Sequence, residues 1–143
     1  MSQDSCKKEK VLFICHQNSG RSQLAEALLR MLYGDRYAAY SAGVIPSHVN
    51  PYAAKAMKQL GVDMTDHRSK SIDEYKDYEF DYVITVCDKA KETCPYFPGR
   101  KIIHHSFSSA LSDGSEEEIL KSFIVVRDEI RTWLEEQFGQ GND

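Results

Sequence analysis

The run Val11-Leu-Phe-Ile-Cys15 constrains this chain most. Five uninterrupted apolar residues, rich in strand formers and too few for a helix, read as a strand buried on both faces. Such strands belong to parallel sheets covered by helices. The sequence beyond it fits that reading. His16 to Gly20 is a polar loop, and from Ser22 the apolar residues Leu24, Leu28, Met31 and Leu32 return at helical spacing until Gly34. Tyr37 to Gly43 is a second strand. Asn50-Pro51 starts a helix, with a capping side chain followed by proline at the first helical position, and this helix runs to about Leu60 with Gly61 as its stop. Tyr82 to Val86 is another buried strand, ending at Cys87, and Lys101 to His104 is a weaker one. Ser115 and Glu118 form a capping box, after which Ile119, Phe123, Val126, Ile130 and Leu134 mark one apolar stripe to about Phe138. Strand and helix alternate, which predicts one α/β domain over residues 10–139, preceded by a flexible extension over 1–9.

Several classes of protein are set aside by composition. A formal net charge of -4 argues against a nucleic-acid binder, so any anion site must be built locally against the global sign. No apolar run approaches the ~18–20 residues that span a membrane, and the polar stretch from Met1 to Lys10 has no signal-peptide character. A cytoplasmic monomer is expected. In a reducing compartment Cys6, Cys15, Cys87 and Cys94 are catalytic, redox-active or metal-binding rather than structural disulfides. Cys6 lies in the polar tail with no evident partner.

In parallel α/β sheets ligands bind beyond the carboxyl ends of the strands. Cys15 and Cys87 each end a strand and so face the same edge. The segment Cys15-His16-Gln17-Asn18-Ser19-Gly20-Arg21-Ser22 joins a strand to a helix. Unpaired amides at a helix N-terminus favour a bound oxyanion, and a turn of successive N–H groups before it makes a nest for the same anion. Arg21 can add two parallel charge-assisted hydrogen bonds. The same field favours a thiolate over a thiol, which makes Cys15 a nucleophile. Ser22 can donate to its sulfur and Asn18 can brace the loop. A bare Cys-x5-Arg pair is common, and a packed core cysteine beside a surface arginine is the competing reading. The surrounding strand, helix, Asn, Gly and Ser favour the cradle.

These residues resemble the phosphate-binding loop of the low-molecular-weight protein tyrosine phosphatases. The likeness continues through Gln23-Leu24-Ala25-Glu26 and Tyr40-Ser41-Ala42-Gly43 and covers about Val11 to Phe138. It implies a flavodoxin-like three-layer domain, with a four-stranded parallel sheet in order 2-1-3-4 flanked by helices. Within that family, Cys87-Asp-Lys-Ala-Lys-Glu-Thr-Cys94-Pro95 is similar to the thioredoxin-coupled arsenate reductases, as are Val49-Asn50-Pro51 and Val126-Arg127-Asp128-Glu129-Ile130. That branch implies arsenate as substrate, phosphate or sulfate as analogues, thioredoxin as reductant, and no cofactor. Cys15 attacks arsenic, Cys87 attacks the Cys15 sulfur as arsenite leaves, and Cys94 attacks Cys87 to give a disulfide for thioredoxin. Other readings stay open: a tyrosine phosphatase using Cys15 and Arg21, or a weakened oxyanion- or metal-binding redox module. Cys87 and Cys94 with His104 and His105 would be a poor zinc set, because six intervening residues exceed the usual two to four.

Two departures from the family stand out. The phosphatases protonate the leaving group from an Asp-Pro pair late in the chain. Here the matching stretch, His104 to Gly114, has Ser108 and Ser109 where acids are expected and Asp113 as the nearby carboxylate. Losing a general acid typically costs ~10²–10⁴-fold, so weak activity on phenyl phosphates is expected. One reductase branch also binds potassium beside the loop, at positions matching Asn18, Glu26, Ser41 and an aspartate. That aspartate falls on Lys70, whose ammonium can take the cation's place beside Glu26. Potassium-independent activity is expected. An ordinary solvated lysine is the alternative.

Overall fold

The computed structural model of the chain describes residues 8–93 and 97–139. Cys6 and Cys94 lie outside the described residues. The chain runs β1 (Glu9–Cys15), α1 (Arg21–Tyr33), β2 (Tyr37–Gly43), α2 (Pro51–Lys58), β3 (Tyr82–Thr85), α3 (Asp88–Thr93), β4 (Lys101–His104) and α4 (Glu116–Phe138), with a 3-10 turn over Ile72–Tyr75. All pairings are parallel and the strand order is β2-β1-β3-β4.

The apolar run explains why β1 is central. Val11, Leu12, Phe13 and Ile14 are all fully buried, so successive side chains point to opposite faces and both faces are covered. β1 pairs with β2 on one side and β3 on the other, with Cys15 opposite Gly43. α1, α2 and α4 pack on one another, and α3 packs on β1 and β3. α1 buries Leu24, Leu28 and Leu29 completely, and burial of each such side chain contributes ~1.5–3 kcal/mol. α4 buries Ile119, Phe123, Val126, Ile130, Leu134 and Phe138, the stripe read from its sequence.

The capping signals perform as their chemistry requires. Tyr52 N–H donates to Asn50 Oδ1 (2.8 Å) ahead of Pro51. Glu118 N–H donates to Ser115 Oγ (3.1 Å), and Ser115 N–H to Glu118 Oε1 (3.0 Å). Two boundaries differ from the sequence reading. α2 closes at Lys58 with Gln59 as cap, before the expected Leu60, and Gly61 turns away with φ +81. β3 closes at Thr85: Val86 N–H still donates to the Ile14 carbonyl, and the chain then enters α3, where Lys91 N–H donates to the Cys87 carbonyl. α3 and the 3-10 turn were not anticipated. Their six and four residues are too short to show a helical period. Among the described residues no helix is long and apolar enough to cross a membrane.

Candidate active site

β1 delivers Cys15 to the carboxyl edge of the sheet, 5% exposed. The chain then loops through residues 16–20 and enters α1 at Arg21. Gly20, at the α1 N-cap, supplies no side-chain cap, which suits a helix start meant for an outside anion. Inside the loop Asn18 takes φ 53, the left-handed conformation that Asn tolerates better than other non-glycine residues. Its buried side chain organises everything around it. Asn18 Oδ1 accepts from the Lys70 N–H (2.8 Å) and from Gln23 Nε2 (3.0 Å). The amide nitrogen therefore faces Ser22 and donates to its Oγ at 2.8 Å.

That arrangement orders the protons at the sulfur. Ser22 Oγ accepts from Asn18, leaving its own proton for Cys15 Sγ at 2.9 Å. The Asn18 N–H donates to the same sulfur at 3.2 Å. Two donors thus converge on the one sulfur.

Neighbouring backbone fixes the loop from outside. Val44, Ile45, Ser47 and Asn50 donate N–H bonds to the carbonyls of Cys15, His16, Gln17 and Ser19. The approach is closest at Gly43, where a Cβ would lie 2.7 Å from Asn18 N and 2.8 Å from Gln17 C. Only glycine fits there.

Beneath the loop lies a buried polar layer. Gln23, wholly buried, donates to Arg68 O (2.9 Å) and Asn18, while His67 Nδ1 meets Gln23 Oε1 at 3.0 Å. Since Oε1 can only accept, His67 carries its proton on Nδ1. Burial, ahead of the charges around it, pushes the His67 imidazole below its ordinary value. Glu26 is held by Ser41 Oγ–H (2.5 Å) and by Arg30 (2.6 Å). Lys70, 7% exposed, donates to Arg68 O (2.8 Å), with its Nζ 3.9 Å from Glu26 Oε1. Burial lowers the Lys70 ammonium and the Glu26 carboxylate pulls it partly back. The same carboxylate, after burial, helps push the Tyr75 phenol up to about 12.

Above the loop is a cleft of about 470 Å³, lined among others by Cys15, His16, Arg21, Cys87, Lys89 and Ser109. The structure thus brings Cys15 and Cys87 to one cavity. Cys87 is 2% exposed and its sulfur accepts from the Ala90 N–H at 3.4 Å. Arg21 donates to Phe107 O (3.0 Å), tying the cleft rim to the start of α1. Gln17, Ser19 and Gly20 complete the loop side of the wall.

Several site residues were missed by sequence reasoning. Lys89, Asn50, Phe123 and Val126 line the cleft, although three of them carry only helix-capping or helix-stripe signals. Asp113 does not line the cleft. The carboxylate that reaches this loop is Glu129 of α4, which accepts from the Ser108 N–H at 3.2 Å. Its separation in sequence hid it. Among the described residues His104 joins no metal-binding group: its ring nitrogens meet Thr85 Oγ1 (2.8 Å) and Asp88 Oδ1 (3.0 Å), while His105 stacks on Trp133. Gln23 and His67 were legible only as polar letters, because their partnership spans 44 residues.

Residues 10–136 match the model of the low molecular weight phosphotyrosine protein phosphatase family. The chain belongs to that family. A curated relative from Halalkalibacterium halodurans, an arsenate reductase, is 40% identical over 125 residues, spanning 86% of this chain and 90% of the relative. Among solved structures, an arsenate reductase in a phosphate-binding state superposes with TM-score 0.74 at 25% identity, covering 92% of this chain and 98% of that one. A thioredoxin-dependent arsenate reductase of Corynebacterium glutamicum gives 0.65 at 29% identity, covering 93% of this chain and 64% of that one.

Proposed function

We propose that this chain reduces arsenate to arsenite through a relay of Cys15, Cys87 and Cys94, recycled by thioredoxin. The observation that carries the reading is the shared cleft: a nucleophile at an anion loop and a second cysteine on the same wall. The arsenate and thioredoxin assignments lean on the relatives named above.

Residues 16–21 and the Arg21 guanidinium hold the oxyanion, with phosphate and sulfate as unreactive analogues. The Cys15 thiolate displaces an oxygen from arsenic, forming a sulfur–arsenic bond while water departs. Cys87 then attacks the Cys15 sulfur; the sulfur–arsenic bond breaks and its electron pair leaves with arsenite. Cys94 attacks Cys87, frees Cys15 and leaves a disulfide for thioredoxin.

α3 runs from Asp88 to Thr93 directly after Cys87, and a helix of six residues has little intrinsic stability to lose if this segment rearranges for the last exchange.

A tyrosine phosphatase is the second reading, and the cleft disfavours it. Among the described residues no Asp or Glu lines the cavity, so none of them sets a carboxylic acid beside a phenolate leaving group. The deciding experiment is arsenate turnover coupled to thioredoxin, with thiol counting on the intact chain. Two thiols per arsenate should disappear without reductant, and the new disulfide should map to Cys87–Cys94. Cys87→Ser should abolish turnover yet keep sulfate binding. Parental turnover in that variant would refute the relay.

A further inference from the structure

An attacking thiolate and an arsenate dianion bring more negative charge into one cleft than a single guanidinium offsets. The chain as a whole, with a formal net charge of -4, repels that charge further. Arg21 supplies one cation, and it already commits an N–H to Phe107 O at 3.0 Å. Backbone amides at the loop and the start of α1 add partial charges only. A second full cation beside the loop would lower the cost of holding a dianion next to sulfur.

Lys89 stands where such a cation is needed. It is an exposed residue, and it lines the same cleft as Cys15, Arg21 and Cys87. Arg21 opens the helix that follows β1, and Lys89 lies in the helix that follows β3. β1 and β3 are adjacent and parallel, so the two cations reach the carboxyl edge from neighbouring strand ends. Among the described residues no Asp or Glu lines the cleft, so no carboxylate of its wall competes with a bound anion. The nearest acid in sequence, Asp88, directs its Oδ1 to His104 Nε2 at 3.0 Å. Lys89 also breaks a local preference. The first turn of a helix disfavours a cation, yet Lys89 is the second residue of α3. Departures from local preference concentrate at functional sites.

We propose that Lys89 is a second oxyanion-binding cation, acting with Arg21, and that the pair makes the cleft prefer dianions over monoanions of the same tetrahedral shape. This deepens the proposed oxyanion reading of residues 16–21 and rests on it. The two cations divide the work by their chemistry. A planar guanidinium matches the geometry of the oxygens, whereas an ammonium on a flexible stem is a point charge that reads the ligand's charge. Coulomb attraction scales with that charge, so Lys89 contributes about twice as much to a dianion as to a monoanion.

The test titrates the reduced full chain with sulfate and with perchlorate, a tetrahedral monoanion, at one ionic strength held by sodium chloride. It compares the parent with Lys89→Met, which keeps an unbranched stem without the charge. Lys91→Met is the matched control: Lys91 belongs to the same helix, is exposed, and does not line the cleft. The parent should prefer sulfate. Lys89→Met should weaken sulfate ~10–100-fold and perchlorate by about the square root of that factor. KM for arsenate should rise with sulfate's dissociation constant, while the rate of thiol loss at saturating arsenate stays near the parent's. Lys91→Met should change none of these. Parental sulfate affinity in Lys89→Met overturns the inference. So does an equal loss for both anions, which a disturbed loop would give, and so does an equal effect of Lys91→Met, which general surface charge would give. A parent that binds sulfate yet consumes no thiols with arsenate overturns the reductase reading and leaves Lys89 to be judged by the anion titrations. An active parent with an unaffected Lys89→Met variant overturns this inference alone.

Discussion

Gly43→Ala isolates the part of the site that depends on backbone contact alone. The added Cβ would lie 2.7 Å from Asn18 N, 2.8 Å from Gln17 C and 3.0 Å from Asn18 Cβ, where ordinary contact begins at 3.4 Å. Two of the three atoms are backbone, so no side chain can swing aside. β2 cannot retreat either. Gly43 is paired with Cys15 in register, its N–H donates to Lys70 O at 2.7 Å, and it bridges to Ser71. The loop must yield by ~0.7 Å. Overpacking of this kind costs ~1–3 kcal/mol, and a displacement approaching 1 Å at a reacting centre can cost ~10²-fold in rate. Gly61→Ala is the matched control. Gly61 has φ +81 with nothing within 4 Å of its Cβ position, so alanine there pays ~1–2 kcal/mol of backbone strain and touches no part of the site. Urea unfolding and sulfate binding separate the two. Both variants should lose stability, and only Gly43→Ala should also lose sulfate affinity and arsenate turnover. A Gly43→Ala variant with parental sulfate affinity would refute the close-approach argument.

Three further outcomes are expected. On the proposal that the Lys70 ammonium, 3.9 Å from Glu26 Oε1, takes a cation's place, arsenate turnover should be the same in sodium and potassium salts; Lys70→Asp should create a potassium-dependent rate, and a potassium-stimulated parent would sink this. His67 has a folded value held below the ordinary 6.5, so the unfolded chain binds the proton more tightly; its contribution is fully present above about pH 6.5 and is lost as pH falls through the folded value. His67→Gln should flatten that part of the stability–pH curve measured by urea unfolding, and an unchanged acid limb would contradict it. Hydrolysis of phenyl phosphate should be slow and should rise steeply as the leaving group becomes more acidic, since no carboxylic acid among the described residues lines the cleft; equal rates on good and poor leaving groups would show a competent acid.

The fold and the placement of Cys15 at the loop were legible in sequence because local rules set them. An unbroken apolar run makes a strand buried on both faces, as Val11 to Ile14 are. Capping residues set helix starts within a residue or two, as Asn50 and Ser115 do. A strand followed by a polar loop and a helix places Cys15 and Arg21 beside a helix N-terminus. What only tertiary structure decided involves groups far apart in the chain. Ser22 could be recognised as a donor, but the orientation of its proton depends on Asn18, whose own orientation depends on the Lys70 N–H, 52 residues away. Glu129 reaches the 105–112 loop from a different helix, and Gln23 meets His67 across the layer beneath the cradle. The convergence of Cys87 on the Cys15 cleft follows from β1 and β3 lying side by side. Periodicity and capping act over one or two turns of chain. The hydrogen bonds that organise the surroundings of Cys15 are made between segments that only packing brings together.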